Sequence, residues 1–231
     1  MFGHDFLSGY SAKILEYVLA VTYLVLFVGF WRYVQGGKKA AVKEASARPE
    51  AAKAAAGWFE VPMEVAFHPG HTWARMEGDG TVTVGLDEFG HRLLGEVEGV
   101  KLPATGRGVK QGEAAVELVA GGKEIELLSP VEGEVVAANG EALGKGAEPY
   151  GGGWLFRVKP SQWKRSRAQL IEGQGAREWM EEQARQLYGR LSLEAVPMLQ
   201  DGGTPIHGIA REVDPENWAE VAREFFRTQE S

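Results

Sequence analysis

The stretch from Val116 to Val136, VELVAGGKEIELLSPVEGEVV, sets the tightest limit on how this chain can fold. Two apolar-rich runs meet at Gly121-Gly122, and a turn over Pro130 to Gly133 leads into a third run. A two-residue reversal between β-prone segments needs positive backbone torsions, which glycine adopts at little cost. The pattern predicts a hairpin followed by a further short strand. Taken alone, it fits any antiparallel sheet.

Composition narrows the class. A chain of 231 residues allows one ordinary domain with extensions, or two small ones. It has no cysteine, which excludes disulfides, thiolate metal sites and a cysteine nucleophile. Its formal net charge of −7 argues against a nucleic-acid partner, which would require a basic face. The 31 glycines fall mostly at turn-like positions, as expected for many short strands. From Trp58 onward such strands alternate with turns. Thr81 to Val84 follows the turn signal Gly78-Asp-Gly80, and a short helix is expected over Leu86 to Leu94 with Phe89, Leu93 and Leu94 inward. Val109-Lys-Gln-Gly-Glu-Ala114 and Ala137-Ala-Asn-Gly-Glu-Ala142 repeat one pattern, which suggests two related halves.

Several short runs carry a resemblance. They are His71-Thr-Trp73, Thr81-Val-Thr-Val-Gly-Leu-Asp87, Leu94-Gly-Glu96, Lys101-Leu-Pro103, Val109-Lys-Gln-Gly-Glu113, Val131-Glu-Gly-Glu-Val135 and Pro149-Tyr-Gly-Gly-Gly-Trp-Leu-Phe-Arg-Val-Lys-Pro160. Over roughly Val61 to Trp163 they resemble, in order, the H-protein of the glycine cleavage system, a relative of lipoyl and biotinyl carrier domains. The resemblance implies a mainly β, lipoyl-type barrel-sandwich hybrid. It also implies a lysine at the tip of a protruding hairpin, carrying lipoic acid on a long mobile arm. Counting back from Pro130, the lysine position falls on Gly122; counting forward from Val116-Glu117, it falls on Ala120. Neither is lysine. Lys123 stands one place beyond Gly122.

Two readings follow. Lys123 is lipoylated in a slightly slipped hairpin, or the site has been lost and Lys123 is a solvated residue at the start of a strand. A one-residue shift turns a strand side chain to the opposite face, and that favours the second. No cofactor is then expected, with lipoate on Lys123 as the alternative.

The other strong signal is Ile14 to Val34, ILEYVLAVTYLVLFVGFWRYV, apolar around its whole circumference. About 20 helical residues match a hydrocarbon core of ~30 Å. The charges at Glu16 and Arg32 lie near its ends, and Trp31 and Tyr33 suit an interfacial aromatic belt. A transmembrane helix is expected over residues 14–35, after a tail of residues 1–13. Arg32, Lys38, Lys39, Lys43 and Arg48 follow the span, whereas only Lys13 precedes it. The positive-inside rule places the amino terminus outside and the remainder in the cytoplasm. Residues 36–57, rich in Ala, Lys and Glu, read as a linker.

The H-protein-like domain is expected over residues 58–163, and the chain is expected to leave the family after Trp163. A helical extension over 164–231 begins with Ala176 to Leu193, with Met180, Ala184, Leu187 and Leu191 on one stripe. A last helix is expected from Asp214-Pro215, with Trp218, Val221, Ala222, Phe225 and Phe226 as its apolar face. That face must dock, either on this chain or on a partner. His68 and His71 supply too few ligands for a metal; His71 matches the His-x-Trp of the resembled family, which implies packing or a local hydrogen bond. No catalytic constellation stands out. The expected function is a non-catalytic accessory or scaffold subunit of a membrane-associated, redox-type complex, with protein subunits and the membrane as partners. The alternative is a working lipoyl carrier. Deleting Met1 to Gln35 is expected to release a folded soluble domain, monodisperse in size-exclusion chromatography. Aggregation of that fragment would place the apolar run in the core.

Overall fold

The computed structural model describes residues 17–24, 26–27, 57–144, 146–190 and 207–228. The chain forms two compact units, Met1–Glu50 and Ala51–Ser231. In the first, the described residues are helical and their large apolar side chains lie exposed, from 47% at Phe27 to 70% at Tyr17. The rings of Tyr23 and Phe27 stack 6.2 Å apart, one helical turn from each other. Among the described residues no helix is long and apolar enough to cross a membrane. Most of the expected span, and all of the linker after it except Gly57, lies outside the described residues.

The second unit is mainly β. Its strands are β1 (Ala66–Phe67), β2 (Thr72–Met76), β3 (Val82–Leu86), β4 (Gly99–Lys101), β5 (Gly108–Val109), β6 (Ala114–Ala120), β7 (Lys123–Leu128), β8 (Gly133–Ala138) and β9 (Trp154–Pro160). They form a six-stranded sheet in the order β1-β2-β3-β9-β8-β5 and a three-stranded sheet in the order β4-β6-β7. All neighbouring pairs are antiparallel. Alternation puts Val116, Leu118 and Ala120 of β6 and Ile125 and Leu127 of β7 into the core, with glutamates outward. The two repeated sequence pieces are the turns that follow β5 and β8, and those two strands pair with each other.

Among the described residues five helices complete the unit: α1 (Glu88–Leu94), α2 (Trp163–Arg167), α3 (Gly173–Arg190), α4 (Ile209–Val213) and α5 (Trp218–Phe226). Asp87 caps α1 by accepting from the Gly90 amide at 2.8 Å, and Phe89, Leu93 and Leu94 are buried as the pattern predicts. On α3, Met180, Ala184 and Leu187 are buried; Leu191 lies outside the described residues. The last helix differs from expectation. Asp214 ends α4, and its carboxylate accepts from the amides of Glu216 and Asn217, so the chain turns once more before α5 begins at Trp218. An Asp carboxylate that satisfies amides two and three residues on serves a turn as well as a helix start. The apolar face of α5 is as predicted: Trp218, Val221, Ala222, Phe225 and Phe226 are all buried.

Trp73 ties the sequence pieces together. Its fully buried ring lies flat on the backbone of Gly85, where a Cβ would come within 2.4 Å of the ring carbons. Its Nε1 donates to the carbonyls of Leu86 and Pro149, each at 3.1 Å. Tyr150 follows, with its hydroxyl donating to the Glu60 carbonyl at 2.7 Å and its carbonyl accepting from Arg75 at 3.0 Å. Burial raises the Tyr150 pKa, which keeps that hydroxyl a donor. Gly85→Ala is expected to destabilise the protein by about 1–3 kcal/mol through overpacking against Trp73. A lower urea midpoint with unchanged slope would show it.

Candidate functional site

The hairpin of β6 and β7 is the site that the sequence singles out. Ala120 pairs with Lys123 to close it, and Gly121 (φ 52) and Gly122 (φ 68) form a two-residue turn with both torsions positive. That turn type matches the strand twist, and glycine adopts it freely. The tip of the reversal is therefore Gly-Gly, as read from the sequence, and Lys123 is the first residue of β7. Lys123 is exposed. It shares strand parity with the buried Ile125 and Leu127, so its side chain leaves the sheet on the inward-facing side.

The chain's own carboxyl-terminal helices pack beside the turn and against β7. At Gly121 an added Cβ would sit 2.9 Å from Arg211 Nη2 and 3.2 Å from the Trp218 ring. The Arg211 guanidinium lies over that ring, 4.7 Å from its centroid. Arg223 Nη2 donates to the Glu124 carbonyl at 3.0 Å, so α5 covers the free edge of β7. On the other flank, the Gly122 amide donates to Glu98 Oε2 at 3.3 Å. Arg190 of α3 pairs with Glu224 of α5 and stacks over Phe225 at 5.3 Å. The pattern of apolar residues located the docking face of α5. It gave no hint of Arg211 and Arg223, because nothing marks a surface arginine in sequence as aimed at a particular turn.

Beneath α5 lies an aromatic box around His71. The imidazole is fully buried, stacked on Phe89 at 4.1 Å and tilted against Trp179 at 4.8 Å, with Phe225 and Phe226 edge-on at 6.3 and 6.2 Å. Its Nδ1 lies 2.8 Å from Asp87 Oδ2, and its carbonyl accepts from the Asp87 amide at 3.0 Å. His71 adopts a left-handed φ of 63, a strained torsion for a side-chain-bearing residue. The packing reading of His71 thus matches its surroundings. His68 Nδ1 accepts from the Gly70 amide at 3.0 Å. Among the described residues, no group of three or more His, Cys, Asp or Glu is placed to hold a metal ion.

A six-stranded and a three-stranded antiparallel sheet, the smaller built on the β6–β7 hairpin, define a mainly β domain. Residues 65–183, just over half of the chain, match the family model for the glycine cleavage H-protein, and the chain belongs to that family. The match continues past Trp163, where the sequence reading ended it, through α2 and into α3. Helical apolar spacing such as Met180, Ala184 and Leu187 is generic, which hid the continuity. The chain is 42% identical over 122 residues to glycine cleavage system H protein 2 of Pseudomonas syringae pv. tomato, covering 50% of this chain and 92% of that protein. It is 42% identical over 108 residues to an Escherichia coli glycine cleavage system H protein, covering 44% and 81%. The solved glycine cleavage system H protein of Mycobacterium marinum shares 31% identity at a TM-score of 0.40, covering 44% of this chain and 87% of that one.

The histidines near the docked helices set a pH dependence. Burial pushes His68 down to about 4, assisted by Arg227 and His71. Burial also pushes His91 down to about 4, assisted by His207 and opposed by Asp87 and Glu88. Both bind protons more weakly folded than unfolded, so acid favours unfolding. Their stabilisation is complete above the ordinary histidine value of 6.5, declines as the pH falls to about 4, and then levels. The loss is expected to be roughly 2–3 kcal/mol for each group. Urea midpoints compared at pH 7 and 4.5 would measure it, with a shallower decline in His91→Leu.

Proposed function

We propose that this protein is a membrane-tethered, non-catalytic binding subunit that keeps the H-protein body and has lost its swinging arm. The observation that carries the reading is the seating of α4 and α5 against the hairpin tip. A carrier arm must leave the protein and enter other active sites, whereas here the tip is Gly121-Gly122 and Arg211 and Trp218 rest on it. Lys123 begins the paired strand β7, against which α5 packs. Tethering is supported by the apolar run from Ile14 to Val34 and by the described helical residues within it, whose apolar side chains are exposed. A fixed anchor also opposes diffusion among separate enzymes. The basic residues after that run support a cytoplasmic body and an external amino terminus. Protein subunits of a membrane-associated complex, redox in type, are the proposed partners.

A second reading has its own support. Lys123 is exposed beside the turn, and the relatives at 42% identity are glycine cleavage system H proteins. In that reading lipoate sits on Lys123 and the chain carries intermediates for glycine cleavage or another lipoate-dependent transfer. Intact-mass measurement of the protein from its native cell, with peptide mapping across 114–128, separates the two. An unmodified mass is expected. A lipoyl increment on Lys123 would establish the carrier.

A further inference from the structure

We propose that the helix pair α4–α5 is a proton-sensitive latch, which acid lifts from the body as a unit to bare the tip of the β6–β7 hairpin. The device goes beyond the binding-subunit reading and holds whether or not Lys123 carries a group. Three of the chain's five histidines, His68, His71 and His91, lie where this helix pair is seated.

The latch is seated in the same way at both ends. At its start the Gly208 amide donates to the Arg92 carbonyl at 2.7 Å, and a Cβ added to Gly95 would sit 2.7 Å from Gly208 Cα. At its end a Cβ added to Gly70 would sit 2.8 Å from the Phe226 carbonyl oxygen. Backbone meets backbone at each seat, and a half-buried histidine stands beside each. The His91 carbonyl accepts from the Gly95 amide at 3.0 Å, and His68 Nδ1 accepts from the Gly70 amide at 3.0 Å. Between the seats, Phe225 and Phe226 meet the His71 ring edge-on.

Neither seat suits a cation. His91 Nε2 is buried without a hydrogen-bond partner among the described residues, and His207 of the latch places a second imidazole nearby. Two carboxylates face His91, and both are engaged elsewhere. Asp87 serves His71 and the Gly90 amide, while Glu88 serves Arg92 and the Glu60 amide. His68 faces the Arg227 guanidinium at the end of α5, and His71. Burial, more than these neighbours, holds both histidines down to about 4. A proton on either is disfavoured while the helices are seated and meets no such penalty once they leave. Protons therefore favour the open form. The closing contribution is complete above the ordinary value of 6.5 and is lost as the pH falls to about 4. The latch also follows the last strand, β9, so its departure breaks no strand pairing. Segments of that kind open at a lower cost than the sheets they cover.

The chain has no cysteine, so one introduced thiol is a unique probe of opening. In full-length protein in detergent micelles, Ala222→Cys reports on the buried face of α5 and Ala74→Cys on the sheet core. Ala219→Cys repeats the reading at a second buried latch position. The reagent is a dipyridyl disulfide, which reacts with thiols in acid, and rates are normalised to free cysteine at each pH. Between pH 7 and 4.5, reactivity at residues 222 and 219 is expected to rise about tenfold or more for each histidine. Residue 74 is expected to stay protected throughout. His91→Leu is expected to remove one such factor while leaving residue 222 protected at pH 7. Equal exposure of residues 74 and 222, no rise at 222 and 219, or a rise unchanged by His91→Leu would overturn the latch. The mass of the native protein decides the binding-subunit reading separately, since neither result depends on the other.

Discussion

The apolar face of α5, laid along the edge of β7 and over α1, determines what the hairpin is able to do. A nine-residue helix has little stability in water by itself. Burying Trp218, Val221, Phe225 and Phe226 contributes about 1.5–3 kcal/mol for each large apolar side chain, more than enough to hold it. Because Phe225 and Phe226 enter the aromatic box of His71 and Phe89, the helix belongs to the same hydrophobic core as the sheets. The tip of the hairpin is consequently a fitted part of the body. Arg211, Trp218 and Arg223 touch it only because α5 is anchored a few residues further on.

A second set of contacts fixes the sheet against which that helix packs. Trp73 spans Gly85 and Pro149, while the next-but-one residue back, His71, spans Asp87 and the box. His71 and Trp73, two residues apart, thus serve the same corner: one receives the carboxyl-terminal helix, the other locks the loop before β9. The strained torsion of His71 is held by the paired hydrogen bonds with Asp87, whose other carboxylate oxygen starts α1.

Much of this was legible in the sequence. Alternating Val116, Leu118, Ile125 and Leu127 about a Gly-Gly pair specified the hairpin, because two-residue turns and period-two burial leave few other solutions. The absence of lysine at the reversal was readable by counting from Pro130. The face of α5 was readable from helical spacing. Its docking partner was not, since an amphipathic stripe shows that a surface is buried and says nothing of against what. The start of α5 was placed too early because Asp214 has the chemistry of a cap and spends it on an intervening turn. The continuation of the family past Trp163 was hidden by helices whose apolar spacing many unrelated sequences share.

The two left-handed glycines at the reversal carry a consequence for any attempt to give this body an arm. A lysine placed at Gly122 would inherit a φ of 68, a region costly to residues with a Cβ by about 1–2 kcal/mol. At the neighbouring Gly121 a methyl group would displace the end of the Arg211 side chain and press on the Trp218 ring. A side chain is thus opposed by torsion alone at Gly122, where the space is open, and by torsion and close neighbours at Gly121. A side chain at Gly121 therefore depends on the position of the overlying helices, which ties the chemistry open to the turn to the packing of the carboxyl-terminal segment.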